Sequence, residues 1–134
     1  MSEQITLREL TPADQADCAR LLVQVFNQPP WNDNWTAERA AAYVQDFFSA
    51  PRFRGFAALD GTQLIGMCLG HVKLWWQGDE YTIDEFCVHT AQQRCGVGGQ
   101  LLGHARRQLT AEGVACCTLL TTSGMPAEAF YRRR

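Results

Sequence analysis

One stretch of this chain constrains its fold more than any other. Residues 81–88 alternate as a strand, a polar turn leads into glycines, a helical pattern follows, and a second strand pattern closes the unit. Val97, Leu101, Leu102, Ala105 and Leu109 fall on one side of that helix, which ends near Glu112, with Gly113 suited to stopping it. Residues 114–121 are small and branched and read as a buried strand. Strand, helix, strand in this order is a βαβ unit, whose strands run parallel and whose crossover is right-handed.

The preceding residues supply the rest of a single layered domain. Residues 5–9 alternate as a first strand; Thr11-Pro12 then offers a helix cap and a first-turn proline, with Asp14 placed to favour the helix dipole. Cys18, Leu21, Leu22, Val25 and Phe26 follow at helical spacing, until Asn27-Gln28-Pro29-Pro30 ends the run. Thr36 caps a second helix carrying Ala40, Tyr43, Val44 and Phe47. From Phe53 the period becomes two: residues 55–59 and 64–76 flank an Asp60-Gly61 hairpin turn, and Gln77-Gly78-Asp79 turns into residues 81–88. Residues 126–131 read as one or two final helical turns. The predicted order is β-α-α-β-β-β-α-β-α, an α/β domain over 1–134 with a mixed sheet and helices on both faces.

Several functional classes are disfavoured. A length of 134 residues suits one domain, and a formal charge of −2 argues against a nucleic-acid binder. Arg132-Arg133-Arg134 is a short basic terminus. The start has no secretory pattern, and no apolar run approaches the roughly 20 residues that span a bilayer. The six cysteines (18, 68, 87, 95, 116 and 117) lie mostly in helix or strand patterns without a C-x-x-C pair, and His71, His89 and His104 have no metal-ligand spacing. They read as buried thiols of a cytoplasmic protein without a metal.

The chemistry lies where strand hands over to helix. The first N–H groups of a helix lack intrahelical partners and carry the positive end of its dipole. Gly96, Gly98 and Gly99 let an anion approach the backbone there, and the combination suits a diphosphate. Gly99 is followed by Gln100, not the Lys-Ser/Thr of a P-loop. A dinucleotide fingerprint would want a small residue at Leu101 and an acid among residues 116–121, where there is none.

Gln93-Arg94-Cys95-Gly96-Val97-Gly98 resembles the Q/R-x-x-G-x-G/A motif of the GNAT superfamily of N-acetyltransferases, with Val88 before it and Leu101-Leu102 after it. The resemblance implies a GNAT-like fold and acetyl-CoA as co-substrate. Its pyrophosphate would be held by Gln93, Arg94, Cys95, Gly96, Val97, Gly98 and Gly99. Ala129-Phe130-Tyr131 resembles the family's A-x-x-F-Y segment, although Met125-Pro126 stands where an asparagine is usual. The family commonly continues through Gly-Phe into further strands, whereas this sequence stops at Arg134. The expectation is a fold whose C-terminal strands are missing or supplied by another subunit, as in a homodimer.

The resemblance also assigns roles. An alkyl amine has a pKa near 10, so about one molecule in a thousand is neutral at pH 7, and attack on a thioester needs a proton acceptor. Glu85 is the favoured base and Asp84 the alternative; as strand neighbours they are expected on opposite faces. His89 is a weaker candidate. Backbone N–H groups of Phe86, Cys87 or Val88 would steady the oxyanion, and Tyr131 would protonate the departing thiolate. Cys87 and Cys95 have no paired histidine, which favours direct transfer over an acetyl-cysteine route. Trp31, Asp33 and Trp35 would shape the acceptor pocket, with Trp75-Trp76 and Asp79-Glu80 extending the acidic, aromatic wall. The expected acceptor is a primary amine of a small cationic molecule or a peptide. A CoA-binding sensor without turnover, or an assembly subunit, is the alternative.

Overall fold

Strands β1 (Ile5–Glu9), β2 (Phe53–Asp60), β3 (Gln63–Trp75), β4 (Gly78–Val88) and β5 (Cys117–Leu119) form one sheet in sequence order. The first four are antiparallel, and β5 joins β4 in parallel, pairing Tyr81–Ile83 with Cys117–Leu119. The computed structural model describes residues 5–92 and 96–114 in full and the backbone of 117–119. The expected final helical turns, with Tyr131, and the residues Gln93, Arg94 and Cys95 lie outside the described residues.

Helices α1 (Gln15–Phe26) and α2 (Ala37–Phe48) cover one face of the sheet, and α3 (Val97–Ala111) covers the other. Side chains cap the turn that leads into α1 and the start of α2. Before α1, the chain makes a short 3-10 turn over Pro12–Asp14, and the Asp14 carboxylate accepts from the Thr11 N–H at 2.7 Å. Both guanidinium nitrogens of Arg8 donate to the same carboxylate, at 2.9 and 3.0 Å. These donors hold the Asp14 pKa below the usual carboxylate range, the Arg8 hydrogen bond most of all. For α2, the Thr36 hydroxyl accepts from the Arg39 N–H at 3.1 Å. Gly113 follows α3 with φ +92°, the left-handed stop that its position suggested.

The two faces bury separate cores. Cys18, Leu21, Leu22, Val25, Ala40 and Val44 pack against Ala57, Leu59, Met67, Leu69 and Cys87. On the opposite side Val97, Leu101, Ala105 and Leu109 pack against Phe56, Ile65, Cys68, Ile83, Phe86 and Val88. Strands buried on both sides explain why β2 and β3 read as nearly continuous apolar runs.

The β3–β4 ladder has one irregularity that matters for function. Gly70 lies opposite Ile83 and Leu69 opposite Glu85, so Asp84 is an extra, unopposed residue in β4: a β-bulge. Tyr81 and Ile83 face α3 before it; Phe86 and Val88 face α3 after it. Gly70 sits beside the bulge because a side chain there would collide with the Tyr81 ring and the Thr82 carbonyl.

Candidate active site

The bulge corrects the sequence expectation that Asp84 and Glu85 point to opposite faces. Asp84 reaches across β3 to His71, with Nδ1 and Oδ2 2.8 Å apart. His71 lies on the α1–α2 face, since its register partner Phe53 packs with that core. Glu85 meets the same face and accepts from the Tyr43 hydroxyl of α2 at 2.5 Å. Simple alternation separates neighbours; an inserted residue puts both acids on one side. The signal was in the sequence, as a break of parity between Tyr81 and Ile83 on one hand and Phe86 and Val88 on the other.

Glu85 is largely withdrawn from water. Burial raises its pKa above the usual carboxylate value; the Tyr43 hydrogen bond pulls the other way, and the charges of Asp84 and Asp33 add to the rise. Tyr43 is itself shifted strongly upward, first by burial and then by Glu85, so its hydroxyl stays protonated and donating.

The connection between α1 and α2 is held over this face by Asn27. The side-chain amide of Asn27 donates to the Trp35 carbonyl at 3.0 Å and its oxygen accepts from the Trp35 N–H at 2.9 Å. The Asp33 N–H donates to the carbonyl of Phe26 at 2.8 Å. In the sequence Asn27 reads only as part of the helix stop, yet its side chain is the clamp that sets the loop. Trp35 donates through Nε1 to Asp33 Oδ2 at 3.0 Å, and its ring lies 4.9 Å from that of Tyr43. Asp33, Asn34 and Trp35 line an open cavity of about 270 Å³. The run Asp33, Trp35, Tyr43, Glu85 thus forms a continuous acidic and aromatic wall.

Not every predicted acceptor residue belongs to it. Trp31 packs edge-on against Phe26, centroids 5.0 Å apart, and joins the α1–α2 core. Trp75 and Trp76 stand at the end of the β3–β4 hairpin, 50% and 78% exposed, several rungs beyond His71 and Asp84.

At the other end of β4, Gly96 begins α3 at φ +80°, a conformation that a residue with a Cβ rarely adopts. A side chain placed at Gly99 would meet nothing within 4 Å among the described residues, whereas one at Gly98 would touch Phe86 and Val88 at 3.5–3.6 Å. Among the described residues the space beside Gly99 is therefore open, next to N–H groups of Val97, Gly98 and Gly99 that a helix start leaves without intrahelical partners. That space and those donors fit a diphosphate. The buried thiols of the α1–α2 face are unsuited to attack: burial pushes Cys18 up to about 12 and raises Cys87 well above its ordinary value. Phe86 and Val88 pack under α3, and Cys87 is buried on the opposite face. Among the described residues no group of His, Cys, Asp and Glu is placed to hold a metal, and no helix is long and apolar enough to cross a membrane.

Residues 19–134 match the sequence profile of the acetyltransferase (GNAT) family. Solved structures of similar fold include an aminoglycoside acetyltransferase from an uncultured soil metagenomic sample, in complex with sisomicin. It has 19% identity over 89% of this chain and 78% of its own, with a TM-score of 0.69. An aminoglycoside N-acetyltransferase in complex with CoA has 16% identity over 92% and 80% of the two chains, with a TM-score of 0.68. A ribosomal-protein-alanine N-acetyltransferase from Brucella melitensis biovar Abortus 2308 has 12% identity over 95% and 86%, with a TM-score of 0.75. At these identities the likeness is one of fold. Comparison with curated proteins gives no match.

Proposed function

The chain belongs to the acetyltransferase (GNAT) family of acetyl-CoA-dependent N-acetyltransferases, and from that premise we propose that it acetylates a primary amine of a small cationic molecule by direct attack on the thioester. The observation that carries the choice of acceptor is the wall of Asp33, Trp35, Tyr43 and Glu85 on the α1–α2 face. Two carboxylates draw an ammonium group, and the indole and phenol rings give it a cation–π surface. The solved aminoglycoside acetyltransferases of similar fold support a small polycationic acceptor.

Each residue then has a defined task. Backbone N–H groups at Gly96, Val97, Gly98 and Gly99, with Gln93, Arg94 and Cys95 of the same motif, hold the pyrophosphate of acetyl-CoA. Glu85 is the base for the attacking nitrogen; a carboxylate raised by burial lies closer to an amine in proton affinity and takes its proton more readily. Backbone N–H groups at Phe86, Cys87 or Val88 steady the oxyanion, and Tyr131 supplies a proton to the leaving thiolate. Trp31 supports the α1–α2 loop from within the core, and Asp33 and Trp35 meet the acceptor. A cytoplasmic location and a homodimer belong to the same proposal.

The test is a thermal-shift series with CoA, acetyl-CoA, NAD and ATP, followed by thiol release with polyamine, aminoglycoside and peptide acceptors. Stabilisation by the first two and thiol release with the polycations are expected. Stabilisation without thiol release from any amine would instead identify a CoA-binding sensor.

A further inference from the structure

Forming an amide from an ammonium group requires two proton removals. The ammonium must lose one before its nitrogen has a lone pair, and the nitrogen must lose another once it is bonded to the acetyl carbon. Only one of these protons can return to the departing thiolate, so the other must leave for solvent. Resting on the acetyl-transfer reading, we propose that His71, held by Asp84, takes the first of these protons, while Glu85 takes the second.

The geometry behind this is the bulge. It sets two acid–base pairs on one face, side by side in β4 but unlike in surroundings. The Tyr43–Glu85 pair is closed over by α2. The His71–Asp84 pair is more open, with side chains 30% and 20% exposed. A carboxylate only accepts, so His71 Nδ1 carries the hydrogen in its bond to Asp84, and in the neutral ring Nε2 keeps a lone pair. The side-chain hydrogen bond of His71 to Asp84 is made through Nδ1, on the far side of the ring from Nε2. A proton taken there makes an imidazolium facing the Asp84 carboxylate, which then releases it to water.

The charge balance follows. The ammonium N–H bond breaks, its electron pair stays on nitrogen, and Nε2 gains the proton. The neutral amine attacks the acetyl carbon, the C–S bond breaks, and the second proton, taken by Glu85, replaces the single proton that the leaving thiolate receives. Asp84 and Glu85 of β4, Tyr43 of α2 and Lys73 of β3 share the face on which His71 stands, and Arg52 lies just before β2. Arg52 is engaged elsewhere, donating through Nε to the Val72 carbonyl at 3.2 Å.

The experiment compares wild type with His71→Gln and Asp84→Asn at pH 7 and pH 9.5, using an ordinary alkyl amine and one made weakly basic by fluorination. Loss of a general base predicts kcat/KM lower by about 100-fold or more at pH 7 with the alkyl amine. The deficit should shrink at pH 9.5 and nearly vanish with the fluorinated amine, because those acceptors arrive already neutral. A merely structural role would give the same deficit under all three conditions, and that result would overturn the proposal. Imidazole ¹⁵N shifts add a readout independent of turnover: the Nδ1–H tautomer in wild type is expected, and the Nε2–H tautomer in wild type would overturn the proposal. Wild-type protein releasing no thiol from any acceptor would bring down the acetyl-transfer reading itself. Normal turnover with an unimpaired His71→Gln would bring down this inference alone.

Discussion

Tyr43 and Glu85 are 42 residues apart in sequence, and their side chains meet in a hydrogen bond of 2.5 Å that joins α2 to the bulged strand β4. The contact fixes the carboxylate's direction and moderates the rise that burial imposes on its pKa. Replacing Tyr43 with Phe removes the donor and lets that rise grow. The acid limb of kcat/KM should therefore move to higher pH, with activity at pH 7 reduced and acetyl-CoA-induced thermal stabilisation retained. A pH–rate profile superposable on wild type would contradict this.

Glu85→Gln should stabilise the fold at neutral pH. An acid with a raised folded-state pKa binds its proton more tightly when folded. Its contribution favours the fold at low pH and is lost as pH climbs from the unfolded value, about 4.3, through the folded one. The variant should melt higher than wild type at pH 7 and show a flatter dependence above pH 4, while acetyl transfer falls by about 100-fold or more. Melting curves between pH 4 and 8 decide it.

Asp14 has the opposite sign. Its pKa is lowered by Arg8 and Thr11, so its stabilisation is present above the unfolded value of about 3.9 and disappears as pH falls through the folded one. Asp14→Asn should lower stability at pH 7 by about 1–2 kcal/mol through the lost cap and ion pair. It should also unfold less steeply with acid below pH 4, with kcat/KM unchanged. Chemical denaturation at pH 7 and pH 3 measures both.

Gly99→Asp separates the cofactor site from the fold. The space above Gly99 is open among the described residues, so the substitution is accommodated. An acid in the first helical turn also suits the dipole, and the unliganded protein should gain about 0.5–1 kcal/mol. The same carboxylate would repel a pyrophosphate, so stabilisation by CoA should be lost. Retained CoA stabilisation in this variant would move the cofactor elsewhere.

Asp33→Asn tests the acceptor wall. Asp33 is exposed and ties to Trp35 through one hydrogen bond that Asn can keep. KM for a polycationic amine should rise several-fold with little change in kcat or in acetyl-CoA binding. An equal effect on a neutral-pH hydrazine acceptor would argue against charge recognition.

Much of the fold was legible because its periods are clean. The apolar stripes of α1 and α2, the Thr36 cap, the Asp60-Gly61 hairpin and the Gly113 stop all lie where side-chain spacing and turn chemistry place them. The first helix is the partial exception: Thr11-Pro12 opens a short 3-10 turn, and the α-helix begins only at Gln15. The site was harder to read. His71 lay in a run buried on both faces, where alternation carries little information, and its partner Asp84 depends on an insertion that shows only as a change of parity. Asn27 looked like a helix stop because its two hydrogen bonds to Trp35 close across eight residues of irregular chain.

The ladder of β4 would close without Asp84. Ile83 and Glu85 already oppose successive residues of β3, so excising the residue between them would leave Glu85, Phe86, Cys87 and Val88 each on its present side. Such a deletion should strip His71 of its anchor while sparing the architecture. This portion of the acid–base equipment is an appendage that can be dropped or reacquired by a one-codon change, independently of the scaffold beneath it.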